Sequence, residues 1–384
     1  MSRVDANRPD GPQTVLVTGA PGFVAERMVA KLLCAGADTQ VTLVCQEREH
    51  EAARAFVQAL PEDQGRRVRV LLGAIDAMDL GMTGSDFREV AASITCIHHM
   101  HMHRPRPEDA HADADVLRRA RVDGTRHVLE LAAASPRLRR LCHWSSVHVA
   151  GKRTGVVLEE DLDVGQSFHS PFEEMQHAAE KLARAAQQRL PVTVLRPSVI
   201  VGDSRSGVID RFDGPYYLMA LIVRNATQVH LPLPGRGAAP LHLAPIDFVI
   251  EAAHALSRDE RAVGKTFHLV DSNPLPARRV YELVAEHAQT ALPRGFIPAG
   301  IARTLLRAPG LERLARTPRA FIDAFDHQVF FNNRHATELL LERGIRCPPF
   351  DSYVHNLLRY LREALLERRP TEAPPDDNDE DPFD

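Results

Sequence analysis

The sequence predicts an α/β fold: a doubly wound parallel sheet, then a smaller C-terminal substrate lobe and a helical extension. Three observations carry this. Short β-branched runs alternate with helical stretches between residues 13 and 202, the rhythm of a parallel sheet covered on both faces. The first strand runs through a glycine turn into a helix (VLVTGAPGFVAERMV). That arrangement presents backbone N–H groups and a positive dipole end to a pyrophosphate, so the sheet is expected to be Rossmann-like. After Gly202 the rhythm shifts to shorter strands and more helix.

The elements follow in order. Thr14 to Thr18 (TVLVT) reads as a buried strand, and a helical pattern runs from Gly22 to Ala35, stopping at Gly36. Val41 to Cys45, Val68 to Leu72, Ile94 to Met100, Leu141 to Ser145 and Val192 to Arg196 read as further strands. Helical patterns separate them, notably Ala114 to Ala134 and Phe172 to Arg189. In the lobe, Val229 to Leu231 and Thr266 to Val270 read as strands, and Ile246 to Leu256 and Ala277 to Gln289 as helices. The expected organisation is a disordered start (1–12), a dinucleotide-binding-type domain (13–202), a small α/β lobe (203–295), a helical extension (296–369) and an acidic disordered tail (370–384).

Of the 384 residues 44% are hydrophobic, enough for a core, which excludes global disorder. Apolar runs fall far short of the ~20 residues of a membrane span. The polar N-terminus (MSRVDANRPDGPQ) lacks the apolar region of a signal peptide. Five scattered cysteines without a CxxC pair read as reduced thiols of a cytoplasmic protein. Seven acids in Thr371 to Asp384 account for the net charge of −4, so the body offers no electrostatic case for nucleic acid. Ala299 to Phe325 is amphipathic and carries Arg303, Arg307, Arg313, Arg316 and Arg319. It reads as a lid or packing helix, or as a surface for peripheral contact with an anionic membrane.

Gly19 and Gly22 let the backbone approach a pyrophosphate, and Ala25 is the third small position of the fingerprint. The chain resembles the extended short-chain dehydrogenases/reductases, with their epimerase/dehydratase-like NAD-binding domain. It is most similar to the branch of fatty acyl reductases and thioester reductases. The matching segments are TGAPGF (Thr18 to Phe23), VDGTRHVLELA (Val122 to Ala132), SSVHVAG (Ser145 to Gly151), EEDLDVGQSF (Glu159 to Phe168), LRPSVIVGDSRSG (Leu195 to Gly207), PIDFV (Pro245 to Val249) and TFHLVD (Thr266 to Asp271). The resemblance implies NADP or NAD as cofactor, held at Thr18, Gly19, Gly22, Phe23, Arg48 and Pro197. Arg48, near the tip of the second strand, leans toward NADP. It also implies that Ser146 orients a substrate carbonyl, that the ligand is an acyl group or another small molecule, and that a homodimer can form.

In that family a tyrosine exchanges a proton with the substrate oxygen. A lysine four residues later lowers the tyrosine pKa and holds the nicotinamide ribose. Anchored on Ala179-Glu180, those positions are Phe172 and Gln176. Phe has no proton to give and Gln no charge, and general acid catalysis typically contributes ~10²–10⁴-fold. The family's Gly-Asp after the third strand reads Gly73-Ala74, its small segment after the fourth reads His99-Met100-His101-Met102, and the asparagine of NVxGT reads Arg121. Packing segments such as VTVLRPS stay regular, so the distribution points to lost or altered redox chemistry.

Other constellations are weaker. His177 and Lys181 form a shifted HxxxK, but five residues turn a helix by ~140°, away from the old site. In HHMHMH, His99, His101 and His103 share a strand face, yet same-face residues sit ~7 Å apart, so no metal is expected. His143, Ser145, Ser146 and His148 lack the GxSxG elbow of a hydrolase. Three functions remain: a degenerate reductase fold serving as ligand-binding scaffold or sensor, an NAD(P)H-dependent reductase with a non-standard acid, and a non-redox enzyme reusing the pocket.

Overall fold

The computed structural model describes residues 13–100, 114–225, 230, 232–298, 325 and 327–367. The first five strands are β1 (Thr14–Thr18), β2 (Gln40–Cys45), β3 (Val68–Leu72), β4 (Cys96–Met100) and β5 (Arg140–Trp144). Then come β6 (Gly155–Val157), β7 (Val192–Pro197), β8 (Val199–Val201), β9 (Leu233–Pro234), β10 (Leu243–Pro245), β11 (Thr266–Leu269), β12 (Phe296–Ile297) and β13 (Val329–Phe331). Seven of them form one sheet in the order β11-β7-β5-β4-β1-β2-β3, every pair parallel. Strand order reverses between β1 and β4, the switch point at which such sheets bind ligands.

Alternation along the strands builds both faces. Val15 and Val17 pack with α1 (Phe23–Ala35) and α9 (Ile246–Ser257). Leu16 points the other way and joins Ile97, Leu141, Val192 and Val194. That face is covered by α4 (Gly84–Ser93), α6 (Gly124–Ala133) and α7 (Pro171–Ala186). At the far side, α2 (Glu47–Ala59) and the short α3 (Glu62–Gly65) connect β2 to β3. The predicted helix over 114–134 is interrupted: α5 (Ala114–Arg118) widens into a π turn at Arg119–Asp123 before α6.

A second core joins α8 (Pro215–Val223), α10 (Ala277–Ala288) and α12 (Val354–Glu367) through Tyr216, Met219, Tyr281, Val284, Leu357 and Leu361. Three two-stranded parallel pairs, β8 with β10, β9 with β12 and β6 with β13, complete the architecture.

Two expectations need correction. Thr266 to Val270 reads as a lobe strand, but β11 is the edge of the main sheet, pairing Phe267 with Leu195. Its four residues are all buried, and α9 packs against α1 on the same core. The chain therefore returns to the sheet after its excursion into the lobe. The helical extension also divides: α11 (Arg334–Leu341) buries Ala336, Leu339 and Leu340 in the first core, whereas α12 belongs to the second. Short apolar runs do not reveal which core receives them. Val229 and Leu231, which flank described His230, together with the arginine-rich stretch 299–324 and both termini, fall outside the described residues. Among the described residues no helix is long and apolar enough to cross a membrane.

Candidate active site

The glycine turn closes tightly on β4. Gly19 has φ +81°, and a Cβ there would meet Met100 O at 2.7 Å, so only glycine fits. Gly22 begins α1 with no side chain capping the first turn, which leaves N–H groups to face an anion. These features fit the phosphates of a dinucleotide. The Thr18 hydroxyl is engaged inside the sheet: it donates to Met100 O at 3.2 Å, accepts from Met100 N–H at 3.0 Å and lies 2.9 Å from His99 Nδ1. Phe23 is half-buried, with the Arg27 guanidinium 5.1 Å from its ring. Arg48 is exposed in the first turn of α2, beside a capping box of Gln46 and Glu49. Pro197 is buried at the end of β7.

At the carboxyl end of β5, Ser146 starts a short 3₁₀ turn, and its Oγ accepts the His148 N–H at 3.3 Å. Phe172 and Gln176 lie one turn apart on α7, and Arg121 reaches them from the π turn. Its guanidinium stands 4.0 Å from the centre of the Phe172 ring and donates to Gln176 Oε1. Gln176 Nε2 in turn donates to Trp144 O at 3.4 Å. Arg121 is 3% exposed, and burial lowers its pKa to about 10, so it remains charged at neutral pH. The three positions that read as separate losses thus form one contact set, a desolvated cation on an aromatic face worth roughly 2 kcal/mol. The sequence flags each replacement but not their contact.

His99 is buried between Thr18 and Thr125, whose Oγ1 lies 3.3 Å from Nε2. Burial, then the nearness of His143 and Arg121, holds it neutral. Ser145, the other serine of the motif, is structural. It donates to Glu180, which meets Arg196 Nη2 at 2.6 Å, both of them fully buried. Burial alone would raise the Glu180 pKa; Arg196 and Ser145 outweigh it and hold the carboxylate charged. Arg196 also donates to Asp161 O at 2.7 Å and lies 3.1 Å from His268 Nε2. In the sequence Glu180 serves only, with Ala179, as the anchor for the family's pattern, and nothing there signals this node.

His177 lies 3.2 Å from Leu162 O, and Lys181 Nζ meets Asp163 at 2.5 Å. Both face the 159–168 segment, as the helical rotation requires. His98 and His99 point to opposite sides of β4, His98 accepting from Trp144 Nε1 at 3.2 Å. His101 and His103 lie outside the described residues, and among those described no three metal-ligating side chains gather.

Residues 17–253 match the male sterility protein family, an NAD-binding family. The chain is 25% identical over 363 residues to a linear gramicidin synthase chain of Brevibacillus parabrevis, a match covering 89% of this chain and 7% of that protein. It is 27% identical over 289 residues to glycine betaine reductase ATRR of Emericella nidulans, covering 70% and 22%. Among solved structures it is similar to the terminal R domain of the myxalamid PKS-NRPS biosynthetic pathway, with a TM-score of 0.78, 23% identity and 94% of each chain covered. That likeness shows the fold. The chain spans about a quarter or less of the length of the curated relatives it matches.

Proposed function

The chain belongs to the male sterility protein family, in the fatty acyl and thioester reductase branch of the extended short-chain dehydrogenases/reductases. From that premise we propose that it keeps the nucleotide-binding frame as a ligand-binding scaffold or sensor and has lost the proton transfer of reductive turnover. The packing of Arg121 on Phe172 and Gln176 carries the reading. The Phe172 ring has no proton to exchange and the Gln176 amide no charge to lend. Arg121 is itself buried and engaged with the Phe172 ring and Gln176 Oε1, which commits it to packing rather than to a substrate oxygen.

The glycine turn and the uncapped start of α1 support dinucleotide binding, and exposed Arg48 favours NADP over NAD. Bound nicotinamide would supply the hydride in any redox step. The family points to an acyl thioester or another carbonyl compound as the second ligand. One observation favours the alternative of a working reductase: half-buried Ser146 remains at the carboxyl end of β5, where it can orient a carbonyl.

Calorimetric titration with NADPH and NADH, followed by an NADPH-oxidation assay with octanoyl-CoA, tests the reading. The expected result is binding on the order of micromolar without oxidation. Oxidation that disappears in Ser146→Ala would establish the working reductase instead. No binding up to millimolar would leave only a cofactor-free role.

A further inference from the structure

Two buried side chains at the seam between sheet and lobe carry unmet hydrogen-bonding atoms. Past Pro197 the chain leaves the main sheet. Ser198 N–H still donates to Leu269 O of β11 at 3.2 Å, while Val199 N–H donates to His242 O at 3.3 Å and opens the β8–β10 pair. Leu243 is the register partner of Val199. His242 and Ser198, each one residue earlier, therefore stand side by side. Ser198 is 5% exposed and His242 7%. Among the described residues, Ser198 Oγ and His242 Nδ1 have no hydrogen-bond partner. Buried polar atoms of this kind destabilise a fold unless something satisfies them.

The chemistry of the missing partner follows from the tautomer. His242 Nε2 lies 3.0 Å from Val329 O. A carbonyl only accepts, so Nε2 carries the proton. Burial, offset in part by that bond and reinforced by His148, keeps the ring neutral. Nδ1 is then a bare acceptor, and the Ser198 hydroxyl can donate or accept. The Phe331 ring, 4.8 Å from the imidazole, supplies an apolar wall. The seam lies at the carboxyl ends of the strands, where open α/β sheets bind ligands. Ser145 N–H donates to Leu195 O at 2.8 Å, which sets Ser146 level with Pro197 at the adjoining strand end.

We propose that Ser198 and His242 form a subsite that hydrogen-bonds a hydroxyl or amide N–H carried by an acyl ligand close to its carbonyl. The subsite rests on the ligand-binding reading above and adds the functional group that the ligand must bear.

The test uses the full chain, Ser198→Ala and His242→Gln, the latter keeping a donor for Val329. Each is titrated calorimetrically with the N-acetylcysteamine thioesters of butanoate and 3-hydroxybutanoate, and thermal unfolding is followed without ligand. The wild type is expected to bind the hydroxylated probe about tenfold more tightly, the worth of one good hydrogen bond. Both variants lose that preference. Ser198→Ala melts no lower than the wild type, because it removes an unsatisfied hydroxyl. If Ser198→Ala melts several degrees lower, the hydroxyl is satisfied within the fold by an internal water and the subsite is overturned. Absence of preference in the wild type, whether both probes bind equally or neither binds, also overturns it. Equal binding sinks the subsite alone, whereas failure of the thioesters and of both dinucleotides sinks the ligand-binding reading as well.

Discussion

Replacing Gln176 by Lys would place a second cation against the Arg121 guanidinium, which donates to Gln176 Oε1 and is 3% exposed. Two unit charges ~4 Å apart at an effective dielectric of about 20 repel by about 4 kcal/mol. The lysine could instead shed its proton, but from an ordinary pKa of about 10.4 that costs about 4.6 kcal/mol at pH 7. The two routes agree, so Gln176→Lys should destabilise by about 4 kcal/mol, or roughly 8–16 °C in Tm for a domain of this kind. Adding Phe172→Tyr should not relieve the strain, and the double variant should oxidise no NADPH. Adding Arg121→Asn removes the opposing charge and should restore most of the stability. Urea unfolding of the single, double and triple variants measures this. A Gln176→Lys protein as stable as the wild type, or one not rescued by Arg121→Asn, would refute the assignment of Arg121 as the cation of this pocket.

Three further outcomes follow from buried charge. Arg196→Met should destabilise by about 3–5 kcal/mol in urea, since it strands the fully buried Glu180 carboxylate; a loss under about 1 kcal/mol would contradict the pairing. Glu159 accepts the backbone N–H groups of His268 at 2.9 Å, His335 at 2.6 Å and Ala336 at 3.2 Å, tying β11 to α11. Glu159→Ala orphans all three donors and should destabilise by about 3 kcal/mol or more, with hydrogen exchange rising first at those amides. His268 is 1% exposed, and burial, then Arg196, pushes its pKa down to about 3. The unfolded chain takes up a proton near its ordinary pKa of about 6.5 that the folded one refuses. This contribution is therefore complete above that pH and is lost as pH falls toward the folded value, by about 2 kcal/mol at pH 5. Comparing urea unfolding at pH 7 and pH 5 for the wild type and His268→Gln should show the variant's pH dependence flattened by that amount.

Much of the main sheet was legible in the sequence because β1, β2 and β7 are mostly buried and read as short β-branched runs, with the glycine turn marking the first crossover. The destination of β11 was not, because four apolar residues fit an edge of the main sheet or a lobe pair equally well. The π turn at Arg119–Asp123 was hidden too, since a widened turn keeps helical periodicity on either side. At the site, Phe172, Gln176 and Arg121 were each recognisable as departures, but their contact depends on where the π turn aims a side chain. Ser198 and His242 carried no signal, because their adjacency exists only in the β8–β10 register.

This changes what the replacements mean. Independent losses at Phe172, Gln176 and Arg121 would leave three ordinary residues around an emptied site, and any one could revert without harm. A mutually packed set behaves otherwise. The Phe172 ring lies against the Arg121 guanidinium, the Gln176 carbonyl accepts a hydrogen bond from it, and the Gln176 amide donates to Trp144 O. Each residue packs on the others, so a variant carrying tyrosine at 172 and lysine at 176 has to lose Arg121 as well to keep the pocket stable. The positive charge of this pocket sits on Arg121 of the π turn, against the Phe172 ring and Gln176. That placement supports the proposed ligand-binding role over a pocket waiting to be reactivated.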